Sequence, residues 1–529
     1  MSESRENWGS KLGLILAMAG NAVGLGNFWR FPYMAATNGG GAFMIPYFAA
    51  LLLVGVPLMF VEWNLGRYGG KYGHGTLGAM VYLQAREGIS PKAAAIIGAI
   101  CGMFAFSVTV LVNSYYNHVI GWTLGYSFFS ITGRYMDASV DTTKLFVDYI
   151  SSPGLSFTFW ILALAILAIA VMRGLQKGIE AWAKLMMPIL YLLGFILIIR
   201  ALTLGAPQVE HPDWTPIAGL NYLWNPDFSK INFSVFLAAC GQVFFTLSLG
   251  MGIICNYASY LKPDDDITLS GVATVSLNEL AEVILAGTIV IPIAYAFGGE
   301  KGISGGVGLT FMSLPNMFRH MGGGQIFGTI WFLILFFAGF TSAIAMYNYL
   351  VALLEEDLHV KKAKASIMIF ILYIIVGLPV GLEPVLNPGT GNTFYFDELD
   401  AWVGSYLLVV LGLIEIFVAG WLMKLKAWEE MNRGSIWKVP KWFFNVFVRV
   451  VTPIFLIFVL ISSTIEKASK GYFKLVPTFV ADKPESIGWV VAARFVMIFV
   501  LAIGFFEAYR SIKKNYNVEL TSNKVSIYR

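Results

Sequence analysis

The sequence contains few charged residues, few cysteines and few histidines. Lys, Arg, Asp and Glu make up 13% of its 529 residues, about half the share of roughly 25% found in soluble domains. The three cysteines, Cys101, Cys240 and Cys255, lie in apolar stretches and predict neither a disulfide framework nor a metal site. A net charge of +4 is too small to indicate a nucleic acid or another strongly acidic partner.

Catalytic signatures are also scarce. The five histidines, at 74, 118, 211, 320 and 359, are scattered, and neither a His-Glu-x-x-His helix nor a Walker phosphate-binding loop occurs. The segments between apolar runs are short and leave no room for a soluble catalytic domain. The sequence therefore argues against an enzyme.

Apolar residues, in contrast, are abundant. They make up 57% of the chain, the mean hydropathy is +0.69, and a membrane-spanning helix needs about 20 such residues in a row. The continuous apolar run at 160–167 does not fit the alternating strands of a membrane β-barrel. We therefore predict an all-α polytopic membrane protein with twelve transmembrane helices. The predicted spans are 11–36, 41–67, 92–124, 156–172, 179–201, 235–260, 267–297, 327–357, 364–383, 396–423, 441–465 and 487–509.

The distribution of basic residues predicts the orientation. Loops after even-numbered spans carry most of the lysines and arginines, as Lys361, Lys362 and Lys364 do after span eight. Such loops remain in the cytoplasm. An even number of spans puts both termini on that side, so segments 1–10 and 510–529 are predicted to be cytoplasmic. We expect a multi-pass protein of the cell membrane, surrounded by lipid.

Two of the predicted spans contain helix-weakening residues at their centres. Glycine and asparagine accumulate at 20–27, and serine and glycine at 244–252. Non-helical backbone at this depth must be buried in protein or line a wet cavity, and paired breaks are typical of transport sites at a repeat interface. We therefore predict inverted repeats over 11–201 and 235–425, with 441–509 appended. Close packing of small residues is the alternative for either break alone.

Several long motifs lie at and beyond the two weakened spans, at 20–32, 38–43, 242–250, 276–282 and 338–342. They resemble motifs of the neurotransmitter:sodium symporter family, and in particular of its bacterial amino-acid transporters. The resemblance covers roughly residues 5–510. It implies a LeuT-like fold, which has a 5+5 inverted repeat with broken helices 1 and 6, and it implies transport coupled to sodium.

The resemblance implies two Na⁺ ions, held without a cluster of carboxylates. Asn, Thr and Ser side chains each offer an oxygen, whereas Gly, Ala and Val can offer only a carbonyl. For the threonine and serine at 341–342, the alternative is hydrogen bonding to carbonyls of their own helix. The implied first site is Ala22, Asn27, Thr246 and Asn278 with the substrate carboxylate, and the implied second site is Gly20, Val23, Ala338, Thr341 and Ser342.

The resemblance also implies an amino-acid pocket. Free amides at the start of a half-helix favour a carboxylate, and amine carriers of the family have an aspartate where this chain has Gly24. The two methionines of the pocket predict broad hydrophobic contents because methionine is flexible, although repacking at similar volume is the alternative. The implied pocket is Ala22, Gly24, Leu25, Gly26, Val112, Tyr116, Phe245, Thr246, Ser248, Met251, Ser342 and Met346.

Charged residues match the family's gates. Arg30 and Asp400 correspond to the outer pair, and Arg5 and Glu356 to the inner pair. Glu282 is a carboxylate within a membrane span, which is functional by default. The resemblance implies that the Glu282 carboxylate takes the place of the chloride ion that some relatives bind, and that it could be protonated when the empty carrier returns. The alternative is that Glu282 has a structural role only.

The combined prediction is a sodium-coupled symporter that imports neutral, hydrophobic amino acids by alternating access. It is expected to be independent of chloride, with proton counter-transport through Glu282. The alternatives are a sodium-coupled carrier of an amine or another amino-acid-like solute, and a non-transporting sensor of the same fold. The sequence leaves the oligomeric state open, a homodimer included.

Overall fold

The computed structural model describes residues 6–303 and 308–525. Within these ranges the chain is helical and contains no β-strand. The helices, in chain order, are α1 Lys11–Ala22, α2 Gly26–Thr37, α3 Gly41–Gly70, α4 Leu77–Ala85, α5 Pro91–Ile131, α6 Thr142–Ser151, α7 Pro153–Met172, α8 Leu175–Leu202, α9 Pro216–Trp224, α10 Phe233–Thr246, α11 Ile253–Ala258, α12 Ile267–Gly302, α13 Leu314–Arg319, α14 Gly324–Leu358, α15 Lys362–Leu386, α16 Phe394–Met423, α17 Leu425–Met431, α18 Lys441–Ser469 and α19 Pro484–Ser522.

The predicted twelve membrane crossings are consistent with these helices. In the described part of the chain, ten helices are long and apolar enough to cross a membrane alone. An eleventh crossing is the pair α1 and α2, which bend by 47° at their junction. The twelfth is α10 followed by α11, whose halves are each too short to span. The all-α membrane fold with two broken helices is thus confirmed.

The two ends of α1 show where the first break occurs. The helix α1 begins after Ser10, whose Oγ accepts a hydrogen bond from the Gly13 amide at 3.0 Å, as an N-cap serine does. It ends at Val23, whose φ of −73° and ψ of 98° are extended. The Ala19 carbonyl still accepts from the Val23 amide, but the carbonyls after it lack the partners that a continuing helix would supply.

The second break depends on left-handed backbone. Gly250 and Gly252 have φ of 67° and 74°, which glycine adopts without the penalty of a Cβ. Ser248 has φ of 56° despite its side chain. The six residues between α10 and α11 therefore leave the helical path, and α11 starts again at Ile253.

Burial arranges the remaining helices around these two breaks. The apolar segment of α14 is 78% buried and that of α19 is 22% buried. α1 packs against α8, α12 and α14, so the broken helices lie inside the bundle, whereas α18 and α19 lie at its edge.

Two features differ from the sequence prediction. The segments predicted as outer loops contain helices of their own, α6, α9 and α13. In addition, α19 continues as helix to Ser522, through most of the segment predicted to be a tail. The division into inverted repeats stays a prediction.

Candidate functional site

A small cavity lies where the two broken helices meet. Its volume is about 20 Å³. It contains ten of the twelve residues predicted for the substrate pocket, and it excludes Leu25 and Thr246. Asn27 and Ile253 contribute to the lining although they were not predicted to do so. The lining is Ala22, Gly24, Gly26, Asn27, Val112, Tyr116, Phe245, Ser248, Met251, Ile253, Ser342 and Met346.

Two glycines permit the close approach of other side chains at this cavity. A Cβ added to Gly24 would lie 2.7 Å from Ser342 Oγ and 2.8 Å from the Tyr116 hydroxyl. A Cβ added to Gly26 would lie 2.4 Å from the Phe245 ring. A larger residue at 24, such as aspartate, would therefore require Ser342 or Tyr116 to move.

The start of α2 offers a site for an anionic group. The Leu25 amide donates to the Tyr116 hydroxyl at 2.8 Å, and Tyr116 is buried. The free amides and the dipole of a helix N-terminus attract carboxylates, and the tyrosine hydroxyl can donate to the same group.

Oxygen atoms converge at the end of α1, where the second sodium site is predicted. Ser342 Oγ, on α14, lies 3.2 Å from the Gly20 carbonyl, 3.0 Å from that of Asn21 and 3.4 Å from that of Val23. Ser248 Oγ also donates to the Asn21 carbonyl, at 3.0 Å. Ser342 therefore reaches across to the broken helix rather than bonding its own.

Thr341 behaves differently from Ser342. Its Oγ1 donates to the carbonyls of Phe337 and Ala338, at 2.9 and 3.2 Å, within its own helix, which is the alternative raised from the sequence. Its side chain nevertheless faces α1, since a Cβ on Gly20 would lie 2.9 Å from Thr341 Cβ. The predicted residues of the second site are thus brought together.

The side chains predicted for the first sodium site form one buried network. Asn27 Nδ2 donates to Thr246 Oγ1 at 2.9 Å and to Asn278 Oδ1 at 2.8 Å. It also donates to Glu282 Oε2 at 2.9 Å, and Thr246 Oγ1 contacts the same carboxylate. Asn27 Oδ1 accepts from the Gly24 amide at 2.7 Å. All four side chains are buried.

Three residues of this network were not predicted as site residues. Gln242 Nε2 donates to Glu282 Oε1 at 2.8 Å and to the Gly26 carbonyl at 3.3 Å. Glu279 accepts from the Tyr47 hydroxyl at 2.9 Å and from Asn278 Nδ2 at 3.2 Å. Gln242 and Glu279 stand in the family-like motifs and could have been found there, whereas no sequence signal singles out Tyr47.

The donor set suits Na⁺. The group around Ser342 consists of carbonyl and hydroxyl oxygens, and the network around Asn27 adds amide oxygens and the carboxylates of Glu282 and Glu279. Hard cations take oxygen ligands of these kinds. Among the described residues, no cluster of three or more His, Cys, Asp or Glu side chains could hold a metal ion.

The predicted outer gate residues face a vestibule above the cavity. The vestibule has a volume of about 260 Å³ and is lined by both Arg30 and Asp400. The Arg30 guanidinium lies 4.8 Å from the centre of the Phe245 ring, and Asp400 Oδ1 accepts from the Tyr115 hydroxyl at 2.7 Å. In the described part of the chain no ion pair joins Arg30 to Asp400, and both line the vestibule.

The opposite end is closed by packed residues. Trp8 Nε1 donates to the Tyr257 carbonyl at 3.1 Å, and its ring packs edge-on against Tyr257 and Tyr260. Glu356 Oε2 accepts from the Gly75 amide at 2.8 Å. Its predicted partner, Arg5, lies outside the described residues.

A further carboxylate contacts the second break. Glu62 Oε1 accepts from the Gly250 amide at 2.8 Å, and both residues are buried. The amide is one that the helix break leaves without a backbone partner. Glu62 therefore braces the non-helical segment.

Comparison with known proteins identifies the family. The model of the sodium:neurotransmitter symporter family matches residues 5–146 and 148–511. A sodium-dependent transporter of Methanocaldococcus jannaschii is 34% identical over 498 residues, which are 90% of this chain and 94% of that protein. The sodium-dependent serotonin transporter of Drosophila melanogaster is 25% identical over 542 residues, 93% and 81% of the two chains.

A solved structure matches as well. The crystal structure of MhsT in complex with L-phenylalanine has a TM-score of 0.74 and 31% sequence identity, and the match covers 87% of this chain and all of MhsT. The chain belongs to the sodium:neurotransmitter symporter family. It is a multi-pass membrane transporter, and sodium is the co-transported ion of its family.

Proposed function

We propose that this protein imports neutral, hydrophobic amino acids together with Na⁺ across the cell membrane. The observation that carries the proposal is the meeting of both helix breaks at one cavity, where amides, carbonyls and hydroxyls of α1, α2, α10 and α14 converge. An anion-binding helix start beside oxygen donors suits a zwitterion and a cation in one site.

The cavity lining supports a hydrophobic amino acid. Its apolar side is formed by Val112, Phe245, Met251, Ile253 and Met346. The related MhsT was crystallised with L-phenylalanine, which is consistent with a wide apolar compartment. Gly24 stands where the amine carriers of the family have an aspartate, and an added side chain there would displace Ser342 or Tyr116, so the amine alternative is disfavoured.

Two ions, one at each oxygen cluster, would supply the driving force. Moving two charges through 100 mV is worth about 4.6 kcal/mol, which corresponds to about a thousandfold accumulation. A zwitterion adds no net charge. The two oxygen clusters, one around Ser342 and one around Asn27, support two ions in this proposal.

Glu282 would take the place of chloride. Its carboxylate contacts Asn27, Thr246 and Gln242 at the first oxygen cluster, so a negative charge is built into the site. Proton counter-transport through Glu282 is part of the proposal, because the empty carrier must return this buried charge.

In the proposed cycle the vestibule faces the outside and both termini face the cytoplasm. Substrate and ions enter past Arg30 and Asp400, which then approach each other above Phe245. The contacts of Trp8 with Tyr257 and of Glu356 with Gly75 subsequently open, together with the expected pairing of Glu356 and Arg5. An exposed ion pair contributes only about 0–1 kcal/mol, which suits a gate that must open.

Uptake into proteoliposomes tests this proposal. Purified protein is supplied with a tritiated amino acid in NaCl, and then in KCl, with unlabelled leucine, methionine, phenylalanine, tryptophan or alanine as competitor. We expect uptake only with Na⁺ and strong competition by the large hydrophobic amino acids. Preference for alanine, or uptake that ignores the cation, would contradict the proposal. Accumulation without an internal pH change in a lightly buffered lumen would remove the proton step.

A further inference from the structure

The C-terminal end of α19 folds back onto the protein. Its backbone departs from helical geometry at Tyr516, where φ is −125° and ψ is 28°. Beyond this kink, Glu519 and Leu520 are 1% and 8% exposed, although the sequence around them is polar. The last turns of α19 therefore dock on a specific surface.

That surface consists of α4, Arg86 directly after it and the loop before it. Glu519 accepts hydrogen bonds from Arg86 Nη1, at 2.7 and 2.8 Å, and from the Tyr82 hydroxyl at 2.7 Å. Burial opposes the charge of Arg86, but the Glu519 carboxylate more than offsets this and the pKa of Arg86 is raised. Removing one partner of a buried ion pair leaves the other charge uncompensated. The contact therefore holds α19 to α4 firmly.

A second contact reaches the loop itself. The Tyr516 hydroxyl lies 2.7 Å from His74 Nε2, and the Tyr516 ring packs 4.7 Å from that of Tyr82. The Arg86 guanidinium lies 5.3 Å from the centre of the Tyr516 ring. The C-terminal turns thus contact both α4 and the residue immediately before Gly75.

Gly75 connects this surface to the closed end of the transporter. Its amide donates to Glu356 Oε2 on α14, and its carbonyl accepts from Asn256 Nδ2 on α11, both at 2.8 Å. Asn256 Oδ1 in turn accepts from Asn348 Nδ2 at 2.8 Å. One loop residue therefore joins both α14 and the inner half of the second broken helix.

We propose that Tyr516 and Glu519 are positioning residues for the inner gate: they hold the loop at His74 and Gly75 in the place from which it keeps α11 and Glu356 closed. The inference rests on the proposed function, in which this end opens to release the substrate. Opening moves α11 away from Gly75, and a loop anchored to α19 cannot follow it, so opening breaks the Gly75 contacts. When the C-terminal turns are not docked, the loop is no longer held in place and these contacts no longer stabilise the closed state.

Hydrogen–deuterium exchange of the full-length protein in detergent tests the proposal. The variants are Glu519→Gln and Tyr516→Phe. Tyr516→Phe keeps the aromatic ring, so it still tests the proposal if Glu519→Gln does not fold. The matched controls on the same helix are Glu507→Gln, whose partner is Arg510, and Tyr509→Phe, whose ring stacks on Phe505. Each protein is measured in NaCl and in KCl.

In both variants we expect peptides covering 72–77 and 253–260 to exchange about tenfold faster than in the wild type, a loss of about 1.4 kcal/mol of local protection. Vestibule peptides over 29–37 and both control variants should match the wild type. Wild-type exchange at 72–77 with faster exchange confined to 511–522 would overturn the proposal, and so would faster exchange throughout the chain. Slower exchange of residues 20–27 in NaCl than in KCl reports sodium binding, and therefore tests the proposed function separately, because sodium binding at this break does not require the C-terminal turns.

Discussion

The Tyr116 hydroxyl lies 2.8 Å from the Leu25 amide nitrogen, so a side chain of α5 contacts the break in the first membrane helix. A Cβ on the neighbouring Gly24 would lie 2.8 Å from the same hydroxyl. The hydroxyl accepts from the amide and retains its own proton for donation. Tyr116 can therefore bridge the start of α2 to a carboxylate.

The first prediction concerns this bridge. Tyr116→Phe removes one hydrogen bond to a charged group, worth about 1.5–3 kcal/mol. We expect the Kd of tritiated L-phenylalanine, measured with the purified protein in saturating NaCl, to rise about 10- to 100-fold. The control is Tyr149→Phe, another buried tyrosine whose hydroxyl donates to a backbone carbonyl, that of Gly121, at 3.1 Å. An equal loss in both variants would show a general effect of the lost hydroxyl.

The second prediction concerns sodium. Ser342→Ala removes the hydroxyl oxygen that lies among the carbonyls at the end of α1, so one ligand is lost. We expect the sodium concentration for half-maximal amino-acid binding to rise about tenfold, a cost of about 1.4 kcal/mol, with little change in the maximal binding. The assay is equilibrium binding at constant ionic strength, with K⁺ replacing Na⁺.

A matched serine provides the control for that experiment. Ser114 Oγ donates to the Leu111 carbonyl of its own helix at 2.7 Å, and Ser114 is buried. Ser114→Ala should leave the sodium dependence unchanged. If Ser342→Ala also leaves it unchanged, Ser342 is not a ligand and its contacts with α1 serve packing alone.

The broken helices were predictable because their cause is local. Glycine and asparagine in the middle of a membrane span disfavour helix wherever they occur, and the observed breaks fall within 20–27 and 244–252. The oxygen donors around them were predicted from a family resemblance. That Ser342 reaches across to α1 while Thr341 bonds its own helix depends on the packing of α14 against α1, which spacing alone does not specify.

Other features depend on contacts that the sequence does not reveal. Glu519 stands in a polar stretch that is typical of a tail, and its burial follows from Arg86 and Tyr82, more than 400 residues earlier in the chain. Likewise, the absence of an ion pair between Arg30 and Asp400 belongs to one conformation, whereas the proposed cycle requires at least two. When two charged residues pair in only one conformation, the residue types alone do not predict the distance between them in a given structure.

The third prediction tests the charge of Glu282. Glu282→Ser removes the carboxylate that contacts Asn27 and Thr246, so the first oxygen cluster loses its negative charge. We expect sodium-dependent binding of L-phenylalanine to fall at least tenfold in sodium gluconate and to recover in NaCl, where chloride can occupy the space. Wild-type protein should bind equally in both salts. Chloride-dependent wild-type binding would contradict the proposed role of Glu282.

The fourth prediction concerns the choice between amino acids and amines. Gly24→Asp introduces a Cβ 2.7 Å from Ser342 Oγ and 2.8 Å from the Tyr116 hydroxyl, as well as a negative charge at the place proposed for the substrate carboxylate. We expect amino-acid binding to weaken more than 100-fold, a cost of about 2.7 kcal/mol or more. The control is Gly154→Asp, because a Cβ at Gly154 meets no atom within 4 Å. Retained binding of L-phenylalanine by Gly24→Asp would place the carboxylate elsewhere and would reopen the amine alternative.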